Sequence, residues 1–260
     1  MARIVILHPG DMGAAIGAAL VEVGHEVGWL SAGRSAQTTD RAGRAGLRPV
    51  HDLAGSDLVV SVCPPGVAAK VARSVIDTNR FRGPYLDANA IAPATSQAIA
   101  ADVVAAGMTY VDGGIVGPPP TRAGSTRLYL SGDRAAMVAE LFAGARIEAR
   151  VLEGAGPTAA SALKMAYASW SKISSALLIT ADSAAQRLGL REALHAEWEV
   201  SAPDLAARLD RASAATIAKG WRWEGEMREI AAAFAAVGEP DGFALAAAEV
   251  FARFDRPRSS

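Results

Sequence analysis

Cysteine is nearly absent from this chain: Cys63 stands alone. No disulfide can form within the chain, and a reducing compartment, the cytoplasm, is the expected setting. A charge excess of either sign is lacking too. Lysine and arginine number 26 against 27 acidic residues, and no basic stripe interleaved with aromatics offers a track for a phosphate backbone, so no nucleic acid partner is expected. No charge-free apolar run approaches the roughly 20 residues that span a bilayer. Even the stretch from Ser174 to Ala181 is bracketed by Lys172 and Asp182. The chain runs at once into Arg3-Ile4-Val5-Ile6-Leu7 without the layout of an export signal, and no membrane partner is expected. Histidine is scarce, His51 and His195 read as isolated, and no His, Cys, Asp and Glu cluster has metal-ligand spacing. No metal is expected.

What is present is a globular composition, 51% hydrophobic over 260 residues, enough for two modest domains or one large one. Strand-length apolar runs recur at Ile4 to Leu7, Glu26 to Leu30, Leu58 to Val62, Pro84 to Leu86, Thr109 to Val111, Arg127 to Leu130 and Ile147 to Val151. Helix-like, Ala-rich stretches separate most of them: Met12 to Val23, Val67 to Ile76, Ala94 to Ala105 and Ala135 to Phe142. This alternation predicts an α/β fold with a doubly wound, mainly parallel sheet. After Val151 the strand pattern stops. From Pro157 to Gly189 neither proline nor glycine intervenes, which predicts one long helix whose apolar face carries Leu163, Trp170 and Leu177 at seven-residue spacing. Further helices are expected at Pro203 to Lys219, Glu224 to Val237 and Phe243 to Phe254. The boundary is placed between 152 and 153: a sheet domain at 1–152 and a smaller all-α domain at 153–260.

The first strand leads into His8-Pro9-Gly10-Asp11-Met12-Gly13 and then an amphipathic stretch, the strand-turn-helix setting of the dinucleotide fingerprint. His8 stands where the first glycine of G-x-G-x-x-G belongs; Gly10 and Gly13 keep the other two places. Backbone N–H groups of Gly10, Asp11, Met12 and Gly13 are thus candidates for holding a pyrophosphate at a helix N-terminus, against the plainer reading of a tight turn. The second strand ends without the Asp or Glu that binds a ribose 2′-hydroxyl. It runs instead into Ser31-Ala32-Gly33-Arg34-Ser35. A guanidinium among hydroxyls suits a 2′-phosphate, so Ser31, Arg34 and Ser35 favour NADP(H) over NAD. Arg41 and Arg44 read either as additional contacts or as a solvated helix start. Cys63, Pro64 and Pro65 close another strand at the carboxyl edge, where ligands bind. Cys63 has no visible base and reads as a small buried hydrophobe.

Taken with Leu86-Asp87-Ala88-Asn89, Val111-Asp112-Gly113-Gly114-Ile115-Val116-Gly117 and Gly154-Ala155-Gly156 followed by Lys164, these motifs resemble the 6-phosphogluconate dehydrogenase and 3-hydroxyisobutyrate dehydrogenase superfamily. The resemblance implies a Rossmann-type domain, a long interdomain helix, a helical second domain and a homodimer. It implies hydride transfer between a nicotinamide and a small carbonyl or hydroxy compound. It places Asn89 near nicotinamide or substrate, Gly113, Gly114 and Gly117 against the substrate, and Lys164 as the general acid and base. Tyr167 and Ala168 stand where relatives carry asparagines, which makes Tyr167 a second proton donor or a pocket wall and puts a standard 3-hydroxy acid in doubt. Imine reductases of the same architecture usually replace the lysine, and a nucleotide-binding regulator without turnover is the third reading. Trp170, Trp198, Trp221 and Trp223 suit a substrate pocket, a core or an interface.

Overall fold

The computed structural model describes residues 1–78 and 80–254, and the chain divides into two compact units, Met1–Lys164 and Met165–Ser260. The division falls inside the long helix, later than the 152/153 boundary suggested by the end of the strand pattern.

The first unit is built on one eight-stranded sheet: β1 Arg3–Ile6, β2 Glu26–Leu30, β3 Arg48–Val50, β4 Leu58–Ser61, β5 Pro84–Asp87, β6 Thr109–Val116, β7 Thr126–Ser131 and β8 Ile147–Val151, in the order β3-β2-β1-β4-β5-β6-β7-β8. Every neighbouring pair is parallel except β6 with β7. Five helices connect the strands: α1 Asp11–Glu22, α2 Ala36–Arg44, α3 Ala68–Asp77, α4 Pro93–Ala105 and α5 Ala135–Leu141. β1 shows why its strand has no polar alternation. Ile4 and Ile6 join the core under α1 together with Ile16 and Leu20, whereas Val5 and Leu7 join the opposite core with Val71 and Val75 of α3 and Ile99 and Val103 of α4. A strand covered on both faces has to be apolar throughout. The winding reverses direction between β1 and β4, and such a switch point opens a crevice at the carboxyl ends of the strands.

The sheet runs through two places where the sequence pattern gives no strand. β3 contains Pro49, which an edge strand tolerates because one side of its ladder has no partner. β6 continues through Asp112, Gly113 and Gly114 to Val116, where the glycines mimic a loop.

The long helix α6 spans Ala159–Arg187, beginning in the first unit, and its 29 residues extend roughly 44 Å. Among the described residues, Trp170 and Leu177 of this face are exposed. The rest of the second unit is helical: α7 Arg191–Ser201, which the sequence pattern does not resolve, then α8 Leu205–Lys219, α9 Trp223–Ala235 and α10 Gly242–Phe251. α6 is tied to α9 by the half-buried Lys172 and the buried Glu226, 2.5 Å apart, with the ammonium 5.6 Å from the centre of the Trp223 ring. Trp223, half-buried, meets the buried Phe251 edge to face at 5.1 Å, and Trp198 is buried. His195 is not isolated: its Nε2 lies 2.6 Å from Asp182, which also accepts from Arg191 at 2.9 Å, and its ring stacks on Trp198. No helix of the described residues is long and apolar enough to cross a membrane, and none of their acidic, His and Cys side chains cluster in a way that could hold a metal ion.

Candidate functional site

The turn after β1 is shaped by its glycines in two different ways. A Cβ on Gly13 would lie 2.3 Å from the His8 carbonyl oxygen and 3.3 Å from Ile6, so only glycine lets α1 start this close to the strand. At Gly10 a Cβ would meet nothing within 4 Å. Gly10 caps α1 without a side chain, and the first helical bond runs from the Ala14 N–H to the Gly10 carbonyl. The N–H groups of Asp11, Met12 and Gly13 are therefore donors that no cap satisfies, beside an open face at the positive end of a helix. Those are the requirements of a pyrophosphate cradle.

Arg34 and Arg41 both reach back to this turn, with different partners. Arg41 donates to the Pro9 carbonyl at 3.3 Å and pairs with Asp11 at 3.2 Å, which braces the helix start. Arg34 donates from Nη2 to the Leu7 carbonyl at 3.1 Å. Its Nε is buried without a partner, and no acid among the described residues pairs with it. A half-buried guanidinium that meets only a carbonyl dipole is a cation lacking its anion. Ser35 caps α2, accepting from the Thr38 N–H at 3.3 Å, and Ser31 lies at the end of β2. The residues present at the end of β2 thus fit a 2′-phosphate, and the absence of an acid there is a fact of the sequence.

His8 fills the place of the first fingerprint glycine. Its Nδ1 is buried without a partner, and burial together with the neighbouring Arg34 charge holds the imidazole down to about 4, neutral at physiological pH.

At the ends of β4 and β5, Asn89 is engaged on both sides of its amide. Its Oδ1 accepts from the Cys63 N–H at 2.6 Å and its Nδ2 donates to Ser61 Oγ at 3.1 Å. It thereby fixes the path of Cys63, Pro64 and Pro65 past the crevice. Burial pushes the Cys63 thiol up to about 11, so it is an inert thiol, as the sequence implies. Asp87, fully enclosed, accepts from the Asn89 N–H through Oδ1 at 3.0 Å while Oδ2 has no partner, and burial raises its carboxyl to about 7.

Asp112, which sequence reasoning did not single out, organises the start of α6. Its Oδ1 accepts from Ser96 Oγ at 2.9 Å and Ser161 Oγ at 2.5 Å; its Oδ2 accepts from Ser131 Oγ at 3.0 Å and the Ser161 N–H at 2.8 Å. Four donors from α4, β7 and α6 converge on one buried carboxylate. Desolvation still raises its pKa, with the Ser161 bonds opposing that rise. The only sequence cue was a charged residue inside an apolar strand.

The three glycines assigned to substrate are held against protein. A Cβ on Gly113 would sit 2.9 Å from Leu86 and 3.0 Å from the Asp87 carbonyl. On Gly114 it would sit 2.5 Å from the Ala160 carbonyl and 3.2 Å from the Lys164 Cβ, and on Gly117, at φ +117°, 2.3 Å from the Ser125 carbonyl. Gly113 and Gly114 pair with Leu130 and Tyr129 in the β6–β7 ladder. Gly114 therefore sets Lys164 directly against β6, with the lysine half-buried. Tyr167, three residues on along α6, belongs to the second unit, where it lines a cleft of about 370 Å³ with Trp170, Ser171, Arg208 and Arg211.

Residues 185–254 match a domain of unknown function, DUF1932. No curated protein matches. Among solved structures, the chain is similar to the conserved protein MTH1747 of unknown function, itself described as structurally similar to 3-hydroxyacid dehydrogenases: 29% identity, 96% of each chain covered, TM-score 0.70. The 3-hydroxyisobutyrate dehydrogenase of Mycobacterium tuberculosis matches at 20% identity over 97% of this chain and 93% of its own, TM-score 0.71. A reductive aminase from Aspergillus terreus, in complex with NADPH and ethyl levulinate, matches at 17% identity over 97% and 93%, TM-score 0.59. Over nearly its whole length the chain has the Rossmann-type fold of the 3-hydroxyisobutyrate dehydrogenases and of imine-reducing enzymes, as its motifs imply.

Proposed function

We propose that the chain is an NADP(H)-dependent oxidoreductase that interconverts a small carbonyl and hydroxy compound, with Lys164 as general acid and base. The observation that carries this reading is Arg34: a guanidinium at the end of β2, without an acidic partner, beside the open face of Gly10. The N–H groups of Asp11, Met12 and Gly13 hold the pyrophosphate over the open face of Gly10, whose own N–H donates to the His8 carbonyl at 2.8 Å; Arg34 with Ser31 and Ser35 holds the 2′-phosphate, and the segment Cys63, Pro64, Pro65 fixed by Asn89 walls the crevice. When bound, the nicotinamide supplies or accepts the hydride. Lys164 gives a proton to, or takes one from, the substrate oxygen, the role its place on α6 against β6 suits. Tyr167 supplies a phenol as second proton donor or walls the pocket. Gly113, Gly114 and Gly117 serve the substrate site by letting chain segments approach closely, Gly114 above all. Retention of Lys164 favours carbonyl over imine reduction.

Calorimetric titration tests the reading. NADPH binds far more tightly than NADH, and Arg34→Ala weakens NADPH alone by about 10- to 100-fold, the worth of one or two charge-assisted hydrogen bonds. Absence of binding by either nucleotide overturns the assignment. Lys164→Ala then abolishes turnover on ketone panels while leaving NADPH affinity intact; turnover of imines alone gives the imine-reductase reading, and tight binding without any turnover gives the regulator. The protein acts in the cytoplasm as a homodimer.

A further inference from the structure

We propose that the cleft between α6 and α8 of the second unit is a binding site for a small aromatic carboxylate, held by Arg208 and Arg211 against the rings of Tyr167 and Trp170. This site is separate from the nucleotide crevice, and the inference stands without the nucleotide reading. The cleft holds about 370 Å³ and lies between residues 167–175 of α6 and 208–215 of α8. That is room for one small molecule. Its wall carries two guanidinium groups and, among the described residues, no aspartate or glutamate. Arg208 and Arg211 are three residues apart on α8, so they share a face of the helix and repel each other. Arg208 faces Asp204, one turn back, at 3.6 Å, beyond hydrogen-bond length, and that aspartate is largely exposed. A pair of this kind contributes little and yields to a better-placed anion. Arg211 has no ion-pair partner among the described residues. Opposite the arginines, Tyr167 is 46% exposed and Trp170 71%, two large rings on one side of α6 with their faces open to a ligand.

The rest of the wall selects the kind of anion. Ser171, Ser174 and Ser175 donate their hydroxyl protons to carbonyls of α6 at 3.2, 2.6 and 2.8 Å, so the serines leave charge recognition to the arginines. Both stretches are helix interior, where backbone N–H groups are spent within the helix. Phosphate sites draw on such groups at helix starts and in nests. What remains here is a pair of planar forks, whose parallel N–H donors match the two oxygens of a carboxylate. Beside them, the phenol and indole take a flat apolar body by stacking.

Calorimetric titration of the full-length protein with benzoate tests the site, with benzamide and inorganic phosphate as comparisons. Benzoate binds, and benzamide, which keeps the shape without the charge, binds about tenfold more weakly. Arg208→Gln and Arg211→Gln each weaken benzoate by about tenfold, the worth of one charge-assisted hydrogen bond. Trp170→Ala weakens it as well. Lys219→Gln removes the same charge from α8 outside the cleft and leaves benzoate affinity as in wild type, and an unchanged Tm in every variant shows that the fold is kept. Phenylpyruvate with NADPH then distinguishes the two sources of such an acid. Turnover with a KM raised in Arg211→Gln makes the acid the substrate; benzoate that alters turnover of a neutral ketone without competing with it makes the acid an effector. Three results overturn the proposal: no benzoate binding, phosphate bound as tightly as benzoate, or an equal loss in Lys219→Gln and the arginine variants. Trp170 also belongs to the repeat with Leu177, so a protein of twice the chain mass that ignores benzoate gives the cleft to a second copy instead. Failure of either nucleotide to bind removes the oxidoreductase reading, and the benzoate titration still decides this one.

Discussion

Two buried carboxyls differ in what surrounds them, and their energetics differ accordingly. Asp112 has four donors, and removing a hub of that kind takes the acceptor from both the N–H and the hydroxyl of Ser161, whereas Ser96 keeps Tyr110 and Ser131 keeps the Pro157 carbonyl. Asp87 has one donor and an unpartnered oxygen, with its carboxyl raised to about 7 from an ordinary value near 3.8. A raised folded-state value means that its favourable contribution is complete below about pH 4. That contribution is lost as the pH climbs through 7, because the unfolded chain releases its proton first. Asp87→Asn keeps an acceptor for the Asn89 N–H and removes the titration. At pH 8 the variant is expected to be more stable than wild type by a few kcal/mol, at about 1.4 kcal/mol for each pH unit between the two values, and at pH 4 the two converge. Urea unfolding at both values checks it; a variant that is less stable at pH 8 shows instead that the ionised carboxylate is the favoured form.

Elements were legible in the sequence where one physical signal dominated. The apolar runs of β1, β2, β4 and β5 mark strands covered on both faces, and the unbroken span from Pro157 to Gly189 marks α6. Signals failed where packing overrules local preference. Pro49 and the brevity of β3 hide an edge strand, and Gly113 and Gly114 interrupt the apolar run of β6 although α6 packs on β6 through them. The site followed the same division. Arg34 was visible as an absence of acid, whereas the inward hydrogen bonds of Asn89 and the hub at Asp112 depend on contacts between distant segments. The glycines provide a contrast that tests this account. Gly10→Ala, with nothing within 4 Å of the new Cβ, leaves stability within about 0.5 kcal/mol but crowds the phosphate face, so NADP+ affinity falls. Gly114→Ala forces the first turn of α6 away from β6, costing about 1–3 kcal/mol by overpacking and displacing Lys164, so turnover falls while NADP+ affinity is kept. Thermal denaturation with calorimetry resolves the pair, and a Gly114 variant that binds substrate and turns over normally means that the close approach is not required.

At the scale of the molecule, the second unit leaves apolar surface that its own helices do not cover. Leu177 of α6 and Phe243 of α10 are 68% and 67% exposed, and they flank a groove of about 550 Å³ shared with Ile173, Pro240 and Val250. Contiguous apolar surface of this kind marks an interaction face on a monomer. The same segment of α6 carries the seven-residue repeat of Trp170 and Leu177 that the sequence offers as an apolar face, and among the described residues both stay largely exposed. A second copy supplies the cover in the homodimer proposed above, since an isologous contact sets the same apolar stripe against itself. Light scattering at micromolar concentration is expected to give twice the 26.8 kDa chain mass. Leu177→Glu with Phe243→Glu buries charge in that contact and returns the single-chain mass, while NADP+ binding by the sheet unit stays as in wild type because the substituted residues lie outside it. A wild-type protein that scatters as one chain removes the dimer, and a doubly substituted protein that remains dimeric moves the interface to another face.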